Sequence, residues 1–513
     1  MTNQIRMFAR VAVLLAVSSI AARAQALTSI TSLYVTYATR KVSANPTGEL
    51  KLRLDSLERD LFAASRVGRT GEVRRLLAKG NTLLSARPWT DVTDFNTSLL
   101  LRSDRVVVES QKPYAVRLEQ LYTPNIDLTR PLSAHATLVQ RTITPGATPT
   151  TTTVKDLGVF DGVSRDLRES PFVMEVDVHD IADGRYVVSV DVLDSARTLG
   201  NVSLPIVVRK GIDALANRLE TEAARAPAAL RAEILYPVDR MRSVNRGRLE
   251  LRTLDVDKDF AAAEAVLAAV TAKKDPFAKR TGDMKRHYAL DGTNEIMPYR
   301  LYVPAGYSAS KSMPLIVALH GLGQTEDSFF DAYGAQLPKL AEQHGYILVA
   351  PLGYRVDGGY GWGVGTPPVD PVARRNSSLS EMDVMQVLAL VRTQYNVDAN
   401  RIYLMGHSMG AIGTWLLAPK YPDIFAALGA FSGQGAPATI ALTKHIPEFV
   451  VHGDADPTVN VRGSRTMVEA MKANGVSVTY IEVPGGNHTN VVEPNLAAMM
   501  QFFNAHTKVP KPQ

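Results

Sequence analysis

The feature that most constrains this chain is an apolar run that turns through glycines into a second apolar segment. Residues 402–405 predict a buried strand, the turn follows as Gly406-His407-Ser408-Met409-Gly410, and residues 411–418 predict a helix. A G-x-S-x-G turn between a strand and a helix lifts a serine hydroxyl above the sheet. Glycine fits both ends of so tight a turn. We therefore predict that Ser408 is a nucleophile and that the Met409 N–H faces the same space.

The groups that would activate this serine follow later predicted strands. A serine hydroxyl needs a general base, and the base needs a carboxylate to orient it. His488 follows the last predicted strand, and Asp454 and Asp456 follow the strand before it. Functional groups gather at the carboxyl ends of parallel strands, and the chain order Ser, Asp, His is that of α/β-hydrolases. These positions predict that His488 is the base.

Two carboxylates compete for the acid position. Asp454 suits a turn after Gly453, and Asp456 before Pro457 suits a helix N-cap, so each has a structural alternative. A carboxylate needs several residues of reach from the strand end to meet the histidine loop. Asp454 stands too close to the strand, and we predict that Asp456 orients His488.

A tetrahedral intermediate also requires two N–H donors for its oxyanion. The Met409 N–H is the first, and the loop His320-Gly-Leu-Gly323 predicts the second, from Leu322. His320, His407 and His452 each belong to a strand-end turn that is explained without a metal. We therefore expect no metal and no other cofactor.

The pattern from residue 287 onward alternates strands with helices, which predicts a mostly parallel sheet covered on both faces. We place this α/β domain at residues 283–508. The predicted strands cover residues 299–303, 314–319, 346–350, 402–405, 427–431, 448–452 and 478–483, and a long helix covers about 380–395.

The front of the chain has other periods. Residues 25–97 predict a helical region, with a hairpin over 49–86 that carries a leucine stripe. Residues 98–209 alternate apolar and polar positions, which predicts an immunoglobulin-like β-sandwich, and the Thr-rich run 147–153 predicts an exposed loop or a hairpin tip. Residues 210–282 predict a helical connector.

The first residues predict export. Arg6 and Arg10 precede an apolar run of about a dozen residues and the small-x-small site Ala22-Arg23-Ala24, which predicts a signal peptide over residues 1–24. We expect a secreted or periplasmic protein with no membrane span in the mature chain. Cleavage removes three arginines and no acid or lysine, so the formal charge falls from +6 to +3, which does not favour nucleic acid. The chain has no cysteine, which excludes disulfides and a thiol nucleophile. Its oligomeric state stays open.

Residues 285–508 resemble α/β-hydrolase esterases related to polyhydroxybutyrate depolymerases and feruloyl esterases, and also the prolyl-oligopeptidase-type catalytic domain. The resemblance places the family acid at the fifth residue of His-Gly-x-x-Asp, which is Asp456. Ala411 departs from the pattern, because these esterases often carry glycine there. The matching segments are Tyr299–Pro304, His320–Gly323, Gly406–Gly410, Gly413-Thr-Trp415, Tyr421–Phe425, Ser432-Gly433, His452–Val459 and His488.

The sequence thus predicts an exported serine hydrolase that cleaves small-molecule or polymer-linked carboxylic esters through an acyl-enzyme. One alternative is a serine peptidase of the prolyl-oligopeptidase type, although no propeller-like repeat precedes residue 280. Another is an inactive binding protein on the same fold, which would have no reason to keep Ser408, Asp456, His488 and the glycine loop together. The acyl and alcohol groups of the substrate stay open.

Overall fold

The computed structural model describes residues 30–142, 150–168, 170–195, 197–364 and 371–508. The chain divides into two compact units, Met1–Lys274 and Asp275–Gln513. The second unit begins slightly before the predicted boundary at residue 283, and the finer division of the chain into five parts stays a prediction. The predicted signal peptide lies outside the described residues. Within the described ranges, no helix has the length and apolar character needed to cross a bilayer.

The first unit opens with helices that share one apolar core. Leu54, Leu57 and Leu61 of the predicted stripe are buried together with Leu76 and Leu77 of the following helix. Burial of one face by residues three and four apart is what holds such helices together. The helices are α1 (Ile30–Ala44), α2 (Gly48–Arg66), α3 (Thr70–Leu84) and α4 (Asp91–Ser98).

Two sheets follow in the region of the predicted sandwich. Their orders are β1-β3-β6 and β2-β8-β7-β4-β5, and all their pairings are antiparallel except that of β2 with β8. The immunoglobulin-like class stays a prediction. The strands are β1 (Leu99–Ser103), β2 (Val107–Val108), β3 (Tyr114–Gln120), β4 (Leu132–Thr142), β5 (Thr150–Val163), β6 (Phe172–Val176), β7 (Gly184–Asp194) and β8 (Arg197–Val208).

The Thr-rich run was predicted to be an exposed loop or a hairpin tip. Residues 150–153 are exposed and begin β5, where they pair with the end of the antiparallel neighbour β4. The described part of the run therefore lies at the end of a β4–β5 hairpin, where the β-branched side chain of threonine favours an extended strand.

Three helices then close the first unit, where the connector was predicted: α5 (Ile212–Ala223), α6 (Ala228–Asn245) and α7 (Val256–Thr271).

The second unit is built on one eight-stranded sheet of order β16-β15-β14-β13-β11-β12-β10-β9. Strands β11 to β16 are parallel, and β10 runs antiparallel to both of its neighbours. The elements are β9 (Gly282–Ala289), β10 (Ile296–Val303), β11 (Met313–Leu319), α8 (Ser328–Asp331), α9 (Gln336–His344), β12 (Ile347–Pro351), α10 (Pro371–Gln394), β13 (Val397–His407), α11 (Met409–Leu417), β14 (Ala427–Phe431), α12 (Ile440–Thr443), β15 (Glu448–Gly453), α13 (Arg462–Ala473), β16 (Val478–Val483) and α14 (Leu496–Asn504).

Both faces of this sheet are buried, as continuous apolar strands require. In β11, Leu315 and Val317 pack with α10 and α11 on one face, while Ile316 and Ala318 pack with α9 and α14 on the other. The six parallel strands therefore end at a single edge of the sheet, which is where the predicted α/β-hydrolase fold positions its functional groups.

One buried carboxyl, that of Glu448, lies at the start of β15, at the opposite end of the strand from that edge. Glu448 is fully buried, its Oε2 accepts a hydrogen bond of 2.7 Å from Trp415 Nε1, and its Oε1 has no partner among the described residues. Burial raises the pKa of Glu448 to about 8, and the Trp415 hydrogen bond lowers it only in part. Because an unfolded glutamate titrates near pH 4.5, the folded protein retains a proton that the unfolded chain releases.

We expect Glu448→Gln to remove this pH dependence. The stability contributed by the protonated carboxyl is complete below about pH 4.5 and is lost as the pH rises through about 8. Thermal unfolding at pH 9 should show the variant about 5 °C or more above the wild type, because the neutral amide has no proton to lose. At pH 5 the two midpoints should nearly coincide. An equal gap at both pH values would contradict the assignment.

Candidate active site

The predicted turn adopts a strained elbow between β13 and α11. Ser408 has a left-handed φ of 56° with ψ of −116°, and its N–H donates to the carbonyl of Phe431 at 2.9 Å. A Cβ on Gly410 would overlap the Leu319 carbonyl in β11, and a Cβ on Gly406 would overlap Gly410 itself. Glycine is therefore required at both ends, and the strain raises the serine at the edge of the sheet.

Alanine at position 411, where the esterases that this chain resembles often carry glycine, is accommodated opposite another glycine. Ala411 is fully buried, and a Cβ built on Gly433 would lie 2.6 Å from the Ala411 methyl. The methyl group thus uses space that Gly433 leaves open. Alanine at this position therefore changes the packing behind the elbow but leaves the backbone of the turn unobstructed.

The three residues predicted to act together lie in one hydrogen-bonded chain. The Ser408 hydroxyl is 2.9 Å from His488 Nε2, and His488 Nδ1 is 2.7 Å from Asp456 Oδ2. Because the Asp456 carboxylate can only accept, the hydrogen of a neutral His488 lies on Nδ1 and Nε2 carries a lone pair. A histidine in this tautomer can accept a proton from serine. The arrangement joins the ends of β13, β15 and β16.

Asp456 is held as a carboxylate by four donors. Its Oδ1 accepts the N–H groups of Thr458 at 2.7 Å and Val459 at 2.9 Å, and His452 Nε2 lies 3.2 Å from the Oδ2 that also contacts His488. Burial alone would raise the pKa of Asp456, but hydrogen bonds from His452 and His488 outweigh it and hold the pKa well below its usual range. The side chain therefore stays charged at neutral pH.

Asp454 has a different role in the same loop. It is exposed, and its Oδ1 accepts the Gly485 N–H at 2.7 Å. The Asp454 N–H donates to the Val483 carbonyl at 3.2 Å. Asp454 therefore ties the end of β15 to the loop that carries His488, and among the described residues it makes no hydrogen bond to the histidine ring.

The predicted oxyanion donors have free N–H groups. Within the described part of the chain, neither Met409 nor Leu322 donates its N–H to a protein acceptor. The loop that carries Leu322, residues 320–323, is held by two hydrogen bonds. The Gly323 N–H donates to the Val356 carbonyl at 2.8 Å, and the Tyr360 hydroxyl donates to the His320 carbonyl at 3.1 Å. The segment 352–361 thus supports the backbone that would hold an oxyanion.

The three other strand-end histidines are engaged with protein groups. His320 lies 2.7 Å from the carbonyl of Leu352, and His452 lies 2.7 Å from the Ser464 hydroxyl. His407 contacts Tyr333 and the backbone of His488. Across the described residues, no group of three or more His, Cys, Asp or Glu side chains has the arrangement of a metal site.

Sequence reasoning missed the roles of His452, His407 and Tyr333. His407 lies in the turn Gly406–Gly410 and His452 begins the segment His452–Val459, so their positions at strand ends could have indicated that they contact the site. Tyr333 lies in the irregular stretch between α8 and α9, which has no periodicity and no motif. Only the fold brings its hydroxyl to the elbow.

Comparison with known proteins confirms the resemblance over part of this unit. Residues 297–444 match the family described as "Esterase PHB depolymerase". That match includes Leu322, Ser408 and Met409 but ends before Asp456 and His488. The assignment of Asp456 as acid and His488 as base therefore stays a prediction that rests on chain order and geometry.

Curated relatives match stretches of this chain that are about as long as the family match. Feruloyl esterase B of Neurospora crassa is 34% identical over 137 residues, which are 26% of this chain and 44% of the relative. A probable acetylxylan esterase A of Aspergillus flavus is 29% identical over 147 residues, which are 28% of this chain and 44% of the relative. The chain thus spans under half the length of these relatives.

Two solved esterase structures are similar to this chain. A thermostable esterase aligns with 77% of this chain and 95% of its own, at 18% identity and a TM-score of 0.37. A ferulic acid esterase from Anaeromyces mucronatus, solved with ferulic acid, aligns with 45% of this chain and 91% of its own, at 21% identity and a TM-score of 0.35.

Proposed function

We propose that this chain is a serine hydrolase that cleaves carboxylic esters through a covalent acyl-enzyme. The observation that carries the proposal is the bridging of Ser408 and Asp456 by one imidazole, at 2.9 and 2.7 Å. The match of residues 297–444 to PHB depolymerase esterases and the similarity to enzymes named feruloyl and acetylxylan esterases support it.

In the acylation step, Ser408 Oγ attacks the ester carbonyl carbon while its proton passes to His488 Nε2. The carbonyl oxygen becomes an oxyanion that the N–H groups of Met409 and Leu322 stabilise. When the intermediate collapses, the C–O bond to the alcohol breaks and the His488 proton goes to the departing oxygen. The acyl group is then covalently bound to Ser408.

Deacylation repeats these steps with water. His488 takes a proton from a water molecule that attacks the acyl carbon, and it returns that proton to Ser408 as the carboxylic acid leaves. Asp456 fixes the tautomer of His488 and stabilises the imidazolium formed in both steps. Because hydrogen bonds hold Asp456 charged, its carboxylate stabilises the imidazolium without taking up the proton.

We expect ester hydrolysis on p-nitrophenyl esters of rising acyl length, with a feruloyl ester, an acetylated sugar and a peptide amide tested beside them. Esters should be cleaved with saturable kinetics, and an aryl or alkyl fluorophosphonate should abolish the activity by labelling Ser408. Hydrolysis of the amide in preference to every ester would replace the proposal by the peptidase alternative. No turnover of any ester or amide would favour an inactive binding protein.

We further propose that the protein is exported and acts outside the cytoplasm, as secreted or periplasmic enzyme. The basic residues, apolar run and small-x-small site in residues 1–24 support this. Intact mass of protein produced with its full leader should correspond to a chain that begins at or near Gln25. A mature product that retains Met1 would contradict export by cleavage.

A further inference from the structure

A second hydrogen-bonded chain lies behind the triad. The Tyr333 hydroxyl is 2.9 Å from His407 Nδ1, and His407 Nε2 is 2.8 Å from the backbone carbonyl of His488. His407 is the residue immediately before the nucleophile, and its ring lies 4.8 Å from the ring of His488 between centroids. This second chain therefore contacts the backbone of the residue that carries the predicted base.

Donor counting gives this chain a single direction. The His488 carbonyl can only accept, so His407 Nε2 must carry the hydrogen. His407 Nδ1 then presents a lone pair, which accepts the Tyr333 hydroxyl. Burial, followed by the charge of His488, lowers the pKa of His407 to about 4, so the ring is neutral at neutral pH, as this arrangement needs.

The oxyanion loop lies next to this hydrogen-bonded chain. Gln324 Oε1 accepts the Gly321 N–H at 2.9 Å, and a Cβ built on Gly321 would lie 3.4 Å from His407 Nδ1. Burial raises the pKa of Tyr333, so its hydroxyl keeps the hydrogen that it donates to His407.

The backbone around Tyr333 is strained. Three consecutive residues have left-handed φ values: Tyr333 at 53°, Gly334 at 65° and Ala335 at 49°. A bulky residue adopts this region only when its surroundings hold it there, and such strain concentrates at functional sites. The tyrosine ring also packs edge-on against His407, with centroids 5.7 Å apart.

We propose that Tyr333 and His407 are positioning residues, which hold the loop of His488 at hydrogen-bonding distance from Ser408. The inference rests on the proposed function, because it concerns the same site. Neither residue exchanges a proton with substrate. Their effect is exerted through the placement of the base.

Tyr333→Phe should lower kcat about tenfold while KM changes less than about twofold, since one buried hydrogen bond is lost and the base is misplaced only in the reacting complex. Without the tyrosine donor, His407 is free to take its other tautomer, which turns a lone pair toward the His488 carbonyl. Rates are normalised by fluorophosphonate titration of active sites, so a lower folded fraction does not count as a loss of kcat.

A double-mutant cycle separates positioning from general packing. His407→Gln keeps a donor near the Nε2 position but has no tautomer for Tyr333 to fix, so adding Tyr333→Phe to it should cost less than about twofold. The matched control is Tyr346→Phe, which deletes a buried tyrosine hydroxyl that donates to Asn504 at 2.7 Å. The control should lose stability without losing kcat.

The outcomes are distinct from those that test the proposed function. If the wild type cleaves esters but Tyr333→Phe retains kcat within twofold, the positioning role is refuted and the esterase function stands. An undiminished cost of Tyr333→Phe in the His407→Gln background would also refute it. If the wild type has no hydrolytic activity, the proposed function fails first.

Discussion

Replacing Ser408 by alanine is expected to lower ester turnover by about 10⁴-fold or more, because the residues of a triad act as a unit and the residual rate comes from binding and the oxyanion donors alone. The fold should survive. The left-handed φ of 56° is set by the glycines and strand ends around the turn, and alanine changes neither. Circular dichroism checks the fold, and kcat/KM on one p-nitrophenyl ester measures the loss.

Ser432 provides a matched control for this variant. It is buried, it has a left-handed φ of 52°, and it follows β14, the strand beside the elbow. Its hydroxyl has no partner among the described residues, so it has no base to activate it. Ser432→Ala should retain turnover and fluorophosphonate labelling. Labelling of Ser432 in the wild type, or of any serine in Ser408→Ala, would overturn the assignment.

Asp456→Asn is expected to lower turnover by roughly 10³–10⁴-fold with the fold retained. An amide has a single acceptor oxygen, so it cannot accept from the two histidines at the Oδ2 position and also from the Thr458 and Val459 N–H groups at the Oδ1 position. It also brings no charge to stabilise the imidazolium. His488 would then be free to take the tautomer that puts its hydrogen on Nε2, toward Ser408. Steady-state kinetics on the ester used for Ser408→Ala measures the effect.

Asp454→Asn is the control in the same loop. Its amide oxygen can still accept the Gly485 N–H that Asp454 Oδ1 accepts now, so the tie between the loops persists. We expect a loss of about tenfold or less on the same scale. A larger loss at Asp454 than at Asp456 would transfer the acid role to Asp454.

The strand-end positions of the site were predictable because they depend on local patterns. Apolar runs set the parallel strands, and a functional side chain that follows such a run must emerge at the same sheet edge. Ser408, Asp456 and His488 could therefore be named from spacing and order. The choice of Asp456 over Asp454 needed reach and family resemblance, since propensity treats both as turn residues.

The supporting contacts could not be predicted, because they join residues far apart in sequence. Tyr333 meets His407 across 74 residues, and His407 meets the His488 backbone across 81. Their partnership depends on how an irregular segment folds back over the sheet. The Thr-rich stretch left two alternatives, a loop and a hairpin tip, because composition alone does not show whether residues 150–153 pair with another strand. In the fold they pair with the end of β4.

The two elbow glycines limit how this protein can be evolved toward new substrates. Any residue other than glycine carries a Cβ, and at positions 406 and 410 that one carbon already overlaps backbone atoms. Substitution there removes the turn instead of tuning it, so neither position offers a graded route to altered specificity. A randomised library selected for a new ester should retain both glycines in every survivor, and its useful variation will concentrate in side chains that face the substrate without shaping the elbow.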